Sequence, residues 1–128
     1  MRHDNRVLKY AGKKEYLLVY LALITAARMR GLITYDGIRE IMGLTPGDHA
    51  ANEIGTLLGD ISWEEVKRHN RPMLSALAIS VVDGMPSRPF FEFAQQLERF
   101  QGSIDSKTAK HKFWRQERDK VYDEWNQD

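Results

Sequence analysis

Helical spacing of apolar residues, helix-cap punctuation within "LITYDGIREIMGLTP" (residues 32–46) and one longer apolar run ahead of Asp83-Gly84 predict the fold class. It is a mainly α domain in a winged-helix-like order: a helix-turn-helix, a short β-hairpin or wing, and extra helices at both ends. The 128 residues suit one domain, divided into a basic arm (1–12), a winged-helix-like core (13–102) and a C-terminal helix (103–128). A chain of this length buries about two-thirds of its unfolded surface, enough for a core without covalent staples.

The elements follow in chain order. Lys13 to Arg30 predicts the first helix, with Tyr16, Leu17, Tyr20, Leu21, Ile24 and Ala27 on one face. Leu18, Val19, Ala22 and Leu23 make its other faces apolar too, so it needs cover on more than one side, from the last helix or from a second copy of the chain. Gly31 ends it and Leu32-Ile33 suits a short strand. Thr34 suits an N-cap for Tyr35–Met42, and Gly43 a left-handed stop. Thr45-Pro46 opens a third helix to about Leu58, with proline at its first position. Ser62-Trp63-Glu64-Glu65 reads as a capping box for a short fourth helix to His69. Met73–Val82 is the long strand, and Asp83-Gly84 would be the tip of a stunted wing. Pro86 to Pro89 leads into a helix bearing Phe90, Phe91, Phe93, Ala94 and Leu97. Ser106 caps a last helix to Trp125.

Composition removes several functions. There is no cysteine, which excludes a thiolate nucleophile, a disulfide scaffold and Cys-ligated metal sites. His3, His49, His69 and His111 show no metal-ligand spacing, and no cofactor motif is present. The longest apolar run, Tyr16–Ala27, falls short of the ~20 residues a membrane span needs. Without a signal-peptide pattern, the expectation is a cytoplasmic protein.

Charge is distributed unevenly behind a net +1. Residues 1–30 hold seven Lys/Arg against two acids, residues 31–105 six against eleven, and residues 106–128 six against five. A polyanion is attracted by the ends and repelled by the middle. The third helix, the one expected to read DNA, carries Asp48, His49, Asn52, Glu53 and Asp60 but no Lys or Arg. Phosphate contacts rest mostly on Lys and Arg, so that helix alone is a poor reader.

Residues 34–84 resemble the C-terminal domain of alkylguanine DNA alkyltransferases and their alkyltransferase-like relatives. "TYDGIREIMG" is similar to the family's T-Y-x-x-[IV]-A motif, "AANEIGTLL" to A-A-R-A-V-G, and "RPMLSALAISVVDG" to P-C-H-R-V-V ending near Asp-Gly. The resemblance implies that Tyr35 contacts a phosphate beside a flipped base. Asn52 stands where the family has its arginine finger, and the reactive cysteine falls near Met73 or Ala76. Alkyl transfer is thereby excluded, leaving at most a non-catalytic binder. The chain also looks like small bacterial and phage proteins sharing "ITY", "MGL" and "RPMLSAL", a likeness that implies no activity.

The candidate contact residues are Tyr35, Asn52, Arg71, Ser75, Arg88, Lys110, Lys112 and Arg115. Lys110, Lys112 and Arg115 form the basic half of the last helix, where a polyanion could bind together with the arm. Arg71 with Ser75, and Ser87 with Arg88, suit a phosphate grip. Glu64-Glu65 with His69 is the nearest acid–base grouping, and no catalytic motif accompanies it. The sequence therefore predicts a non-enzymatic nucleic-acid-binding protein. Two alternatives stand beside it: a protein-interaction module such as a phage-type regulator or inhibitor, and a binder of a small phosphate-containing ligand. A homodimer through the first helix is compatible with all three.

Overall fold

Local capping sets the helix ends in the computed structural model, which describes residues 6–127. The order is α1 (Lys14–Arg28), β1 (Ile33–Thr34), α2 (Tyr35–Met42), α3 (Asp48–Trp63), β2 (Ala78–Ile79), α4 (Arg88–Gln96) and α5 (Lys107–Trp125). Thr34 Oγ1 accepts the Gly37 N–H at 3.0 Å, and Gly43 closes α2 at φ 72°. Ser106 Oγ caps α5 by accepting the Ala109 N–H at 3.1 Å. The fold is mainly helical, as the apolar periodicity requires.

Three expected elements differ, each for a physical reason. Gly47 sits at φ 139°, outside helical space, so α3 starts at Asp48 and Pro46 stays in the loop. The helix then runs past Leu58 to Trp63 and on through a π-helical turn, Glu64–Arg68. No capping box interrupts it. Ser62 is buried, its Oγ 2.6 Å from Ser75 Oγ and accepting the Ser75 N–H at 3.2 Å. The Met73–Val82 strand contracts to Ala78–Ile79, preceded by a 3₁₀ turn, Leu74–Leu77. Side chains take the ladder groups of this segment: Glu117 Oε2 accepts the Met73 N–H at 2.8 Å, and Trp114 Nε1 donates to Ala76 O at 2.8 Å.

What remains of the strand pairs parallel with β1, Ile33 opposite Ala78 and Thr34 opposite Ile79. A parallel pair needs a crossover, here supplied by α2 and α3. Gly84, at φ 70°, turns the chain after β2, but no strand follows it among the described residues.

The core gathers on α3 and the segment after it. Ile54, Leu57 and Ile61 of α3 meet Leu74 and Leu77, Val19, Leu23 and Ala27 of α1, Ile38 of α2, and Trp114 and Val121 of α5. A second aromatic group joins α4 to α5: Phe100 and Phe113 have ring centroids 5.1 Å apart, and Phe91 and Phe100 5.8 Å. The first and last helices pack together, the first of the two covers that the sequence leaves open. Tyr122 OH donates to Gly31 O and Asn126 Nδ2 to Ala27 O, both at 2.8 Å. Helix α1 stops at Arg28, two residues early, and Arg30 takes the left-handed conformation at φ 53° ahead of Gly31. No helix is long and apolar enough to cross a membrane among the described residues.

Candidate functional site

Residues 6–10 of the basic arm lie on α3 and pair two of its acids; residues 1–5 of the arm lie outside the described residues. Asp60 is fully buried, accepts the Tyr10 backbone N–H at 2.9 Å and pairs with Arg6 at 3.1 Å. Glu53 pairs with Lys9 at 2.6 Å and also accepts from the Tyr10 hydroxyl. These two donors, Lys9 foremost, hold the Glu53 carboxyl below its ordinary range. Burial, reinforced by Glu53, pushes the Tyr10 phenol up to about 12. The acidic middle and the basic start of the chain thus answer each other inside one molecule, and Arg6 and Lys9 are no longer free for phosphates.

Two further arginines hold buried acids. Arg71 meets Glu65 with two nitrogens, Nε to Oε1 and the terminal NH2 to Oε2, each at 2.9 Å. It also stacks 5.0 Å from the Trp125 ring centroid, and Tyr20 OH donates to Glu65 Oε2 at 3.2 Å. Arg99 grips Glu117 in the same way, at 2.7 and 3.0 Å. Glu65 and Glu117 are each 1% exposed, so these forks satisfy charges that burial would otherwise make very costly. The sequence offers Glu65 as a cap and Asp60 as an acid of the third helix, and leaves Glu117 unmarked. A signal for Glu117 existed, since it lies three residues after Trp114 and four before Val121, on the core stripe of α5.

A cleft of about 770 Å³ opens between α2, residues 50–59 of α3 and α4. Ile54, Leu58, Phe90 and Phe93 line its apolar part, and Ala51, Gly55 and Gly59 leave the α3 backbone thinly covered. A Cβ added at Gly59 would stand 3.2 Å from the Arg6 guanidinium, which itself lies 4.9 Å from the Phe93 ring centroid. Tyr35 OH accepts the Ser87 N–H at 2.8 Å, tying α2 to the start of α4, and burial raises its phenol. The charges around the cleft are paired: Arg6 with Asp60, Arg39 with Asp36, Glu92 with Arg88.

The sequence-derived contact residues therefore separate. Tyr35, Asn52 and Ser75 border the cleft, Asn52 on its rim and Ser75 buried against Ser62. Arg71 is turned inward on Glu65, with its side chain a quarter exposed. Arg88 is divided between Glu92 at 3.1 Å and Asp105 at 3.4 Å, and neither it nor Arg71 lines the cleft. Lys110 lies 5.7 Å from the Phe91 ring centroid. Lys112 and Arg115 are exposed on α5 and, among the described residues, form no ion pair.

A group of exposed apolar side chains lies on α1. The helix turns Val19, Leu23 and Ala27 into the core with no exposed area, while Leu17 is 57%, Leu18 39%, Leu21 50% and Met29 76% exposed. The core stripe is thus centred on Val19 and Leu23. Leu17 and Leu21, expected inside, point outward.

Comparison with known proteins finds no matching family model, no matching curated protein and no matching solved structure.

Proposed function

We propose that this chain is a non-enzymatic binding module that docks another protein on the outer face of α1. The carrying observation is the exposure of Leu17, Leu18 and Leu21 on a helix whose opposite face is already in the core, with Met29 exposed at its C-terminal cap. Exposed apolar side chains gathered on one rigid helix face mark interaction sites in folded proteins, whereas scattered ones do not. The helix is held from behind by α2, α5 and the Leu74–Leu77 turn, so its outer face is presented without an ordering cost on binding.

Nucleic-acid binding is the second reading, and one observation favours it. Lys107, Lys112 and Arg115 are exposed near the start of α5 without ion-pair partners among the described residues. The α2–α3 pair, joined through residues 43–47, supports a helix-turn-helix reading. The parallel pairing of β1 with β2 weighs against a wing, and the burial of Leu57, Leu58, Asp60 and Ile61 limits reading by α3 to its first half.

A photo-crosslinking amino acid placed at Leu18 in cells tests the docking reading. An adduct with another protein, absent when the same group replaces Lys112, is expected. Crosslinks at Lys112 to nucleic acid, with none from Leu18, would replace it by the second reading.

A further inference from the structure

We infer that the occupant of the α1 face is an amphipathic helical segment of a different protein, acidic at both of its ends. The inference rests on the docking reading and adds the partner's chemistry. On a 3.6-residue helix the exposed side of α1 carries Lys14 at one end, then Leu17, Leu18 and Leu21, and Arg28 beside Met29 at the other. Lys14 and Arg28 are both exposed, and neither forms an ion pair among the described residues. The acid of this helix, Glu15, lies ~100° around from Lys14, on a partly buried flank. From Lys14 to Arg28 the face runs ~21 Å, about four turns, with Leu17, Leu18 and Leu21 in its first half, Thr25 exposed in its second and Met29 just past Arg28.

That charge pattern selects the occupant. A second copy aligned antiparallel along the stripe would set Lys14 against Arg28 at both ends. Aligned in parallel, it would set Lys14 on Lys14 and Arg28 on Arg28. Either way the apolar contact is bought with two like-charge contacts, which act as repulsive elements against self-pairing. A segment with leucines at helical spacing and Asp or Glu at both ends meets the same stripe with two attractive contacts. The homodimer compatible with the over-apolar first helix is for this reason the disfavoured occupant.

The test uses three synthetic helical peptides that share one Leu-x-x-Leu-Leu-x-x-Leu face and carry Glu, Gln or Lys at both ends. Affinities for the full chain are measured at low and high salt, with amide shifts in NMR spectra locating the contact. The expected order is Glu over Gln over Lys. Two exposed charge pairs should favour the Glu peptide over the Gln peptide by about three- to tenfold at low salt and less at high salt. The double reversal Lys14→Glu/Arg28→Glu should invert the order without altering the fold, since both side chains are exposed. Equal affinities for the three peptides, an order unmoved by the reversal, or shifts away from α1 would overturn the acidic-partner inference. So would sedimentation of a dimer that dissociates on Leu21→Ser. Failure of all three peptides alongside a persisting Leu18 crosslink would reject this partner chemistry while leaving the docking reading in place.

Discussion

Helices α1 and α5 pack on one another yet divide their residues in opposite ways. Helix α5 turns Trp114, Val121 and Tyr122 inward and gives its outer face to Lys112, Arg115, Asp119 and Asp123. Its one charge on the inner stripe, Glu117, is matched by Arg99 and by the Met73 amide. Helix α1 also fills its inner face, with Val19, Leu23 and Ala27, but repeats the apolar pattern outside with Leu17, Leu18 and Leu21. The core accounts for the inner face of α5, and its outer face is charged and solvated. Folding explains only half of α1, and the unexplained half is where a function independent of the fold should be sought.

The largest effect should come from breaking the inner polar match of α5. Arg99→Ala leaves Glu117 buried without its guanidinium, and unfolding in denaturant should show a loss of about 3–5 kcal/mol. A loss below about 1 kcal/mol would mean that solvent reaches Glu117. The two faces of α1 come next. Leu23→Ala should cost about 2–5 kcal/mol, since the side chain is fully buried, and Leu21→Ala less than about 1 kcal/mol. Similar losses at both positions would show that the outer face supports the fold, and the contrast would collapse.

The alkaline limb sharpens the same division from the side of the tyrosines. Burial raises the phenols of all five: Tyr10, Tyr16, Tyr20, Tyr35 and Tyr122. The folded state then keeps protons that the unfolded chain releases near 10. This contribution is full below pH 10 and is lost as pH rises through the folded values, about 12 for Tyr10 and Tyr20. Phenolate absorbance should therefore appear late and together with unfolding. A tyrosine titrating near pH 10 in the folded protein would contradict the packing of the arm on α3 or of α1 against the π turn. The smallest effect is expected on the outer face of α5, where Lys112→Ala and Arg115→Ala should each change stability by no more than about 0.5 kcal/mol.

What the sequence made legible was local. The Thr34 cap, the Gly43 stop and the Ser106 cap depend on residues within one turn, and all three stand where the pattern puts them. The strand over residues 73–82 was misread because its backbone partners are Ser62, Trp114 and Glu117, between 13 and 44 residues away. The same distance hid the answer to the charge asymmetry, since nothing near Glu53 or Asp60 announces Lys9, Arg6 or Tyr10. Of the candidate contacts, Arg71 pairs with Glu65, six residues before it, an ion pair that the cap reading of Glu65 leaves out. The outer leucines of α1 were visible as surplus, but spacing alone could not say which apolar face the core would take.

The central claim is that Leu17 and Leu21 serve a partner and leave the fold indifferent. Its most direct test is a photo-crosslinker at Thr25, on the same outer face, compared between the wild-type background and a Leu17→Ser/Leu21→Ser double variant. The account predicts a protein adduct in the first background and its loss in the second, with the denaturation midpoint of the double variant essentially unmoved. An adduct that survives both serines would contradict it, because the partner would then be held by something other than the exposed leucines of α1.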